Sequence, residues 1–172
     1  FMPIVASGAR SSMPHGRPTD KKIEPGDFVV IDMGIIYKGY YSDMTRTVVI
    51  EKASERQKEI YDTVLRAQLR ATELIMPGMT GTEADKIARD IIEEAGYGEY
   101  FKHALGHGFE DGLVLAEGPR GNTVLKENMV FTIEPGIYIE DFGGVRIEDT
   151  VILTKDGCLP LYKAPKELIE IY

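Results

Sequence analysis

Residues 26–34 (GDFVVIDMG) and residues 127–136 (ENMVFTIEPG) are two versions of one pattern, and together they decide the fold. Each has a turn with an acidic residue, then a short apolar run, then a carboxylate two residues before a glycine. These carboxylates are Asp32 and Glu134. The apolar runs are rich in β-branched and aromatic residues, which is typical of buried strands. The sequence therefore predicts an internal repeat whose two halves fold alike.

The repeat continues to a second carboxylate in each half. These second carboxylates are Asp43, in SDMTRTVVI, and Glu148, in RIEDTVIL. A His-Gly pair precedes each unit, at His15 in the first half and at His107 in the second. Because equivalent positions of two similar units tend to meet across a symmetric fold, we expect the four acids and His107 to lie close together.

Two helices are predicted between the halves. Apolar residues recur at three- and four-residue spacing over residues 54–76, and a capping-box pattern that begins at Thr80 predicts a second helix ending at Gly96. Ile87 and Ile91 are predicted to mark the buried face of that second helix. Further strands are expected at residues 44–50, 129–133 and 145–153. Helices and strands in this order favour an α+β fold.

The composition excludes several classes of protein. With 172 residues, one domain is the natural expectation. The net charge of −8 argues against nucleic acid or an anionic membrane as the main partner. The single cysteine, Cys158, excludes an intrachain disulfide and favours a reducing, cytoplasmic location. No apolar run approaches membrane-spanning length, and the first residues do not resemble a signal peptide.

The four acids are the main candidates for chemistry. Any one of them alone is most simply a turn or cap residue. Four acids at equivalent places repel one another, and burying them requires neutralising cations or shared protons. Carboxylates together with one imidazole suit Mn, Co, Fe or Zn better than Ca. Four acids exceed the needs of one small cation, so two bridged divalent cations that activate a water molecule are predicted.

Four segments carry a resemblance to a known family. Residues 30–47, 106–108, 131–138 and 144–149 resemble the pita-bread metallopeptidases, which include methionine aminopeptidase, aminopeptidase P and prolidase. The DMTRT and PHG segments are more similar to the proline-specific branch of that family. The resemblance implies a pita-bread fold, with a curved antiparallel sheet, outer helices and a pseudo-two-fold repeat. It also implies hydrolysis of Xaa-Pro bonds by two metals, in peptides with proline at the second position.

Roles for individual metal ligands follow only from this resemblance. Asp32 is expected to chelate one metal, Asp43 and Glu148 to bridge both, and His107 and Glu134 to complete the second. Glu134 is also expected to move a proton from the bridging water to the leaving amine.

The resemblance also implies substrate contacts around the metals. His15 and His103 match histidines that contact substrate and assist catalysis, and Arg146 matches a substrate-binding arginine near the final Glu. Each has a simpler alternative. His15 is then a turn residue, His103 a neutral packing histidine, and Arg146 the partner of a carboxylate.

The loop after His107 departs from the family pattern. Ala116 stands where the family has a second active-site histidine, and the loop is about two residues longer, with Glu110 and Asp111 adding negative charge. Loss of one donor to a developing oxyanion typically costs about 10²–10³ in rate. Ala116 therefore favours a rival hypothesis, a binding module that has kept the fold and lost catalysis. A third hypothesis is a metal-free relative acting on a small guanidino compound.

The resemblance further implies that residues 1–172 form a single, partial catalytic domain. Members of the family have helices before the segment that matches residues 4–8, often after a separate N-terminal domain, and both are expected to be missing here. The apolar faces that they cover are then expected to be shielded by a homodimer or by association with another chain.

Overall fold

The computed structural model describes residues 3–109 and 112–172, so Glu110 and Asp111 lie outside the described residues. Within those ranges the chain forms two α-helices, α1 (Glu55–Leu74) and α2 (Gly81–Glu94). The strands of the first half are β1 (Ile4–Ser7), β2 (Phe28–Met33), β3 (Ile36–Tyr37), β4 (Tyr40–Tyr41) and β5 (Met44–Ile50). Those that follow the helices are β6 (Gly106–His107), β7 (Val114–Leu115), β8 (Val130–Ile133), β9 (Gly136–Ile139), β10 (Gly143–Arg146), β11 (Glu148–Thr154), β12 (Gly157–Pro160) and β13 (Ile169–Ile171). Neither α-helix has the length and apolar character needed to cross a bilayer.

Seven strands form the central sheet. Its main path runs β1-β2-β5-β11-β12, with β8 added beside β11 and β13 beside β5. All of these pairings are antiparallel except the parallel pairing of β13 with β5. Three two-stranded ribbons, β3–β4, β6–β7 and β9–β10, surround the sheet. Mixed helices and antiparallel strands confirm the α+β class predicted from the sequence.

The two repeats meet at the centre of this sheet. Strand β5 of the first half pairs with β11 of the second, with Met44 opposite Asp149 and Thr45 opposite Glu148. On the outer sides, β2 pairs with β5 and β8 pairs with β11 in the same antiparallel sense. The two halves are therefore arranged about a local two-fold axis between β5 and β11, as the repeated sequence predicts.

Both helices begin where the sequence predicts. The Ser54 and Thr80 side chains cap α1 and α2, and each forms a complete capping box with the Gln or Glu three residues later. Such caps satisfy amide groups that have no partner within the helix. The core-facing stripe of α1 contains Ile60, Val64 and Ala67, which are fully buried.

The predicted buried face of α2 is confirmed in part, because Ile87 and Ile91 both pack against the core. Ile87 and Ile91 are only partly buried, whereas Ala84, Ala88 and Ile92 are fully buried. The small alanine side chains allow α2 to lie close to α1, so the helix is rotated toward its small residues. The most deeply buried face of α2 therefore lies about one residue away from the face that the large apolar side chains indicate.

The single strand predicted at residues 145–153 is two strands in the structure. The chain changes partner at Ile147, because Arg146 still pairs within the β9–β10 ribbon while Glu148 already pairs with β5. The Ile147 amide donates instead to the Pro135 carbonyl oxygen at 3.4 Å. A continuous apolar pattern carries no information about such a change of partner.

The orientation of α2 can be tested by truncating neighbouring isoleucines. Ile92→Ala is expected to lower the free energy of unfolding by about 2–5 kcal/mol, because it leaves a cavity in the core. Ile91→Ala is the matched control and is expected to cost clearly less, because Ile91 is only partly buried. Denaturant unfolding of both variants measures the difference. Equal losses would contradict the observed rotation of α2.

Candidate metal centre

The register of four strands places two of the predicted ligands in one row. Ile4 lies opposite Asp32, Asp32 opposite Thr45, and Thr45 opposite Glu148. Neighbouring strands are about 4.7–4.9 Å apart, so Asp32 and Glu148 flank Thr45 at two strand spacings. Asp43 lies two residues before Thr45 and is directed to the same face. Sheet geometry thus brings Asp32 and Glu148 together, and Asp43 lies beside them at the end of β5.

Glu134 and His107 reach the same place from β8 and β6. The Glu134 amide donates to the Leu105 carbonyl oxygen at 2.8 Å, which joins the two segments. The Thr132 hydroxyl accepts from the His107 amide at 3.0 Å and donates to Glu134 Oε1 at 2.9 Å. Thr132 therefore fixes the backbone of one predicted ligand and the carboxylate of another.

These side chains line one cavity of about 320 Å³. The predicted site residues on its wall are Asp32, Asp43, His107, Glu134, Glu148, His15, His103 and Arg146. The structure therefore brings together all eight positions singled out by sequence, although their chemical roles stay predictions. Apolar side chains that the sequence did not single out complete the wall, among them Ile4 and Val114.

Asp43, His107 and Glu148 lie within coordination reach of one another, and Glu134 lies close to His107. His107 Nε2 is 3.4 Å from Glu134 Oε1 and 3.8 Å from Asp43 Oδ2. One ligand atom each from Asp43, His107 and Glu148 lie within 4.8 Å of one another. His107 Nδ1 is 3.1 Å from the Gly108 carbonyl oxygen, which only accepts, so Nδ1 donates and Nε2 is the nitrogen that faces the acids. This is the tautomer that a metal ligand requires.

Within the described residues, the negative charges of these acids are not fully balanced by positive groups of the protein. Burial raises the pKa of Glu134 to about 7. Burial, together with the Asp32 carboxylate, raises the pKa of Asp43 to about 6, and burial with neighbouring acids raises that of Glu148 well above its usual range. Asp32 Oδ1 is buried and has no hydrogen-bond partner among the residues that the structure describes. An orphaned carboxylate oxygen within a cluster of acids fits divalent cations.

Arg146 offsets one of these charges. Its Nη2 donates to Asp32 Oδ2 at 2.6 Å and its Nε donates to the Thr45 hydroxyl at 3.0 Å. Its Nη1 donates to the Tyr138 hydroxyl at 2.9 Å. The guanidinium is 3% exposed, so its main contacts lie inside the protein. The pairing of Arg146 with a carboxylate, the simpler alternative, is thus present in the structure.

His103 is held with both ring nitrogens engaged. Its Nδ1 donates to the Ala104 carbonyl oxygen at 2.7 Å, and its Nε2 accepts from the Tyr138 hydroxyl at 2.9 Å. Burial lowers the pKa of His103 to about 4, so the ring is neutral at neutral pH. His15, by contrast, is exposed at the rim of the cavity. Of the two histidines, His15 is therefore the more accessible from solvent.

The altered loop places a valine at the cavity wall. Val114 of β7 pairs with His107 of β6 and lines the cavity. Ala116 is 4% exposed, and its carbonyl oxygen accepts from the Thr82 hydroxyl on α2 at 2.9 Å. The expected negative charge of Glu110 and Asp111 falls on positions outside the described residues. An apolar surface thus lies beside His107.

Sequence reasoning missed three hydrogen-bonding residues of the site, namely Thr45, Thr132 and Tyr138. The Thr45 hydroxyl donates to Glu148 Oε2 at 2.5 Å. Both threonines lie two positions from a predicted ligand on the same strand face, so strand alternation could have identified them. Tyr138 bridges His103 and Arg146, and only the tertiary structure reveals those contacts.

Comparison with known proteins gives a consistent result. Residues 1–155 match the metallopeptidase family M24. An Xaa-Pro dipeptidase from Pyrococcus furiosus is 57% identical over 173 residues, covering 98% of this chain and 49% of that protein. The solved structure of a prolidase from Pyrococcus furiosus has a TM-score of 0.93 and 54% identity, covering 96% of this chain and 50% of that chain. For an X-Pro aminopeptidase from Thermotoga maritima MSB8 the TM-score is 0.90 at 46% identity, covering 99% of this chain and 49% of that chain.

The chain belongs to metallopeptidase family M24. Its similarity to prolidase and aminopeptidase structures also confirms the pita-bread fold expected from the sequence. The chain spans about half the length of the relatives that it matches.

The raised pKa of Glu134 predicts an unusual pH dependence for the metal-free chain. The folded-state pKa of about 7 exceeds the ordinary value of 4.5, so the folded state binds this proton more tightly than the unfolded state does. The resulting stabilisation is present at low pH and is lost as the pH rises from about 4.5 to about 7. Glu134→Gln cannot titrate, so its stability is expected to fall less over that range.

Denaturant unfolding in the presence of a chelator, at several pH values, measures this difference. Glu99→Gln is the control, because Glu99 is exposed and distant from the cavity lining. It should follow the wild-type pH profile. Parallel profiles for wild type and Glu134→Gln would contradict the buried, under-neutralised cluster.

Proposed function

We propose that this chain hydrolyses Xaa-Pro peptide bonds with two divalent cations held by Asp32, Asp43, His107, Glu134 and Glu148. The single observation that carries the proposal is the convergence of these five side chains on one cavity. The proposed substrates follow from relatives whose names are Xaa-Pro dipeptidase, prolidase and X-Pro aminopeptidase.

The donor set supports Mn, Co, Fe or Zn as the cations. It combines four carboxylates with one imidazole, and the Asp32 Oδ1 atom lacks a protein partner among the described residues. When bound, such a metal pair lowers the pKa of a water molecule and stabilises the oxyanion formed from the peptide carbonyl. Asp43 and Glu148 are the proposed bridging ligands, because both offer a ligand atom to the same cluster as His107.

Glu134 is the proposed proton carrier. Its carboxylate lies on the wall of the cavity with the other proposed ligands, where it would be in reach of a metal-activated water and of the leaving amine. The Thr132 hydroxyl donates to Glu134 Oε1 and leaves Oε2 for the reacting groups. Thr132 therefore orients the carboxylate while the proton moves.

Substrate binding is proposed to use the histidines and the apolar wall. His15 at the rim is available to hydrogen-bond a peptide group, and His103 presents a neutral ring to the cavity. Arg146 is engaged by Asp32 and Tyr138, so its proposed contribution to substrate binding is a positive potential at the cavity floor. Ile4 and Val114 offer apolar surface for the pyrrolidine ring of proline.

The proposal predicts that the metal-free chain is inactive and regains activity with added metal. A chelator-treated sample is expected to bind two Co²⁺ or Mn²⁺ ions per chain and then to hydrolyse an Xaa-Pro dipeptide. The matched Xaa-Ala dipeptide should be cleaved far more slowly. Calorimetric titration gives the stoichiometry, and amine release gives the rate. Longer Xaa-Pro peptides are compared in the same assay.

Two other results would be decisive against the proposal. Two bound ions without turnover of any peptide would favour the binding-module hypothesis that Ala116 suggests. Failure of the wild-type chain to bind any of the four candidate metals would exclude the dinuclear site and would favour a metal-free function.

The proton-carrying role of Glu134 predicts a large loss of rate on substitution. Glu134→Gln is expected to lower kcat by about 10²–10⁴, the usual contribution of a general acid–base. Glu99→Gln, an exposed acid, should retain wild-type kcat. Steady-state kinetics at saturating Co²⁺ separates lost proton transfer from lost metal. A Glu134→Gln variant with wild-type kcat would assign the proton transfer to another group.

A further inference from the structure

A closed ring of hydrogen bonds holds the backbone of Asp43 on the side away from the substrate cavity. The Asp43 amide donates to the Tyr162 hydroxyl oxygen at 2.9 Å. The Tyr162 hydroxyl donates to Thr150 Oγ1 at 3.2 Å, and the Thr150 hydroxyl donates to the Asp43 carbonyl oxygen at 2.8 Å. Neither Tyr162 nor Thr150 lines the cavity.

This ring provides hydrogen bonds to the Asp43 backbone that the sheet does not provide. The register of β5 begins at Met44, so Asp43 lies just outside its ladders with β2 and β11. Without the ring, Asp43 would carry its carboxylate at the end of a strand, where the backbone is free to rotate. Because both backbone polar groups of Asp43 are bonded, the direction of its side chain is restricted before any ligand arrives.

Tyr162 is itself held in place by a rigid segment. The neighbouring Leu161 amide donates to the Thr150 carbonyl oxygen at 3.0 Å. A few residues later, Lys166 Nζ lies 2.6 Å from Asp149 Oδ2, and Arg46 pairs with the other oxygen of Asp149 at 2.7 Å. Asp149 is fully buried, so the segment that carries Tyr162 is anchored to the same strand, β11, that provides Glu148.

We propose that Tyr162, acting with Thr150 on the Asp43 backbone, is a positioning residue that pre-orients the Asp43 carboxylate for metal binding. The inference rests on the proposed function, because it takes Asp43 as a ligand. Groups outside the ligand set that orient a metal ligand typically contribute about 10–100-fold to metal affinity. Tyr162 lies 119 residues from Asp43, so no local sequence pattern indicates this role.

The test compares two tyrosine hydroxyls on the same C-terminal segment. Tyr162→Phe is expected to weaken Co²⁺ binding to the metal-free chain by about 10–100-fold and to change the visible absorption bands of the bound Co²⁺. Tyr172→Phe is the matched control, because among the described residues the Tyr172 hydroxyl bonds only to Glu170, which does not line the cavity. It should bind Co²⁺ like the wild type. Unfolding of the metal-free variants is measured in parallel.

A second pair of variants tests the other side of the ring. Thr150→Val removes the hydroxyl with little change of shape and is expected to weaken Co²⁺ binding in the same way. Thr150→Ser keeps the hydroxyl and should restore most of the affinity. This pair also gives the answer if Tyr162→Phe does not fold.

Three other results would contradict the inference. Wild-type Co²⁺ affinity and spectrum in Tyr162→Phe, with or without a loss of stability, would show a merely structural hydroxyl and would overturn the inference. Equal losses in Thr150→Ser and Thr150→Val would do the same. If the wild-type chain binds none of Mn, Co, Fe and Zn, the proposed function fails first, and this inference falls with it.

Discussion

The antiparallel pairing of β5 with β11 is the constraint on which the site depends. It sets Thr45 opposite Glu148, while the pairing of β5 with β2 sets Thr45 opposite Asp32. Side chains in one row of a sheet share a face, so these pairings force acids from both repeats into one place. A slip of one residue in either pairing would turn a ligand to the other face and dismantle the site. Fold and chemistry are thus specified by the same backbone hydrogen bonds.

This arrangement is electrostatically costly without cations. Arg146 pairs with Asp32, and the remaining acids respond to burial and to one another with raised pKa values. Buried charges without partners destabilise a fold, whereas groups that bind a ligand only in the folded state stabilise it. Under the proposed function, metal binding and folding stability are coupled in this chain. That coupling would explain how a sheet can carry so many acids, since bound cations would offset their charge in the folded state.

The sequence predicts those parts of the structure that are encoded locally. Capping boxes at Ser54 and Thr80, the β-branched runs and the repeated acids all lie within short segments, and each was located before the structure was known. The missed features depend on distant contacts. The break at Ile147 follows from a change of strand partner, and the most deeply buried face of α2 follows from close approach to α1. Tyr138 and Tyr162 act on residues far along the chain, which no periodic pattern can indicate.

The structure also separates the parts of the site that tolerate change from those that do not. Asp32 and Glu148 are carried on paired strands of the central sheet, and Asp43 lies beside them with its backbone bonded to Tyr162 and Thr150. The departure from the family pattern that the sequence suggests lies in the β6–β7 loop, where Gly108 bridges to Phe131 and Val114 lines the cavity. The backbone pairings that carry Asp32 and Glu148 involve β2, β5 and β11 and not this loop. Under the proposed function, a change in the loop would therefore alter the surface offered to a peptide and leave these sheet-borne acids in place.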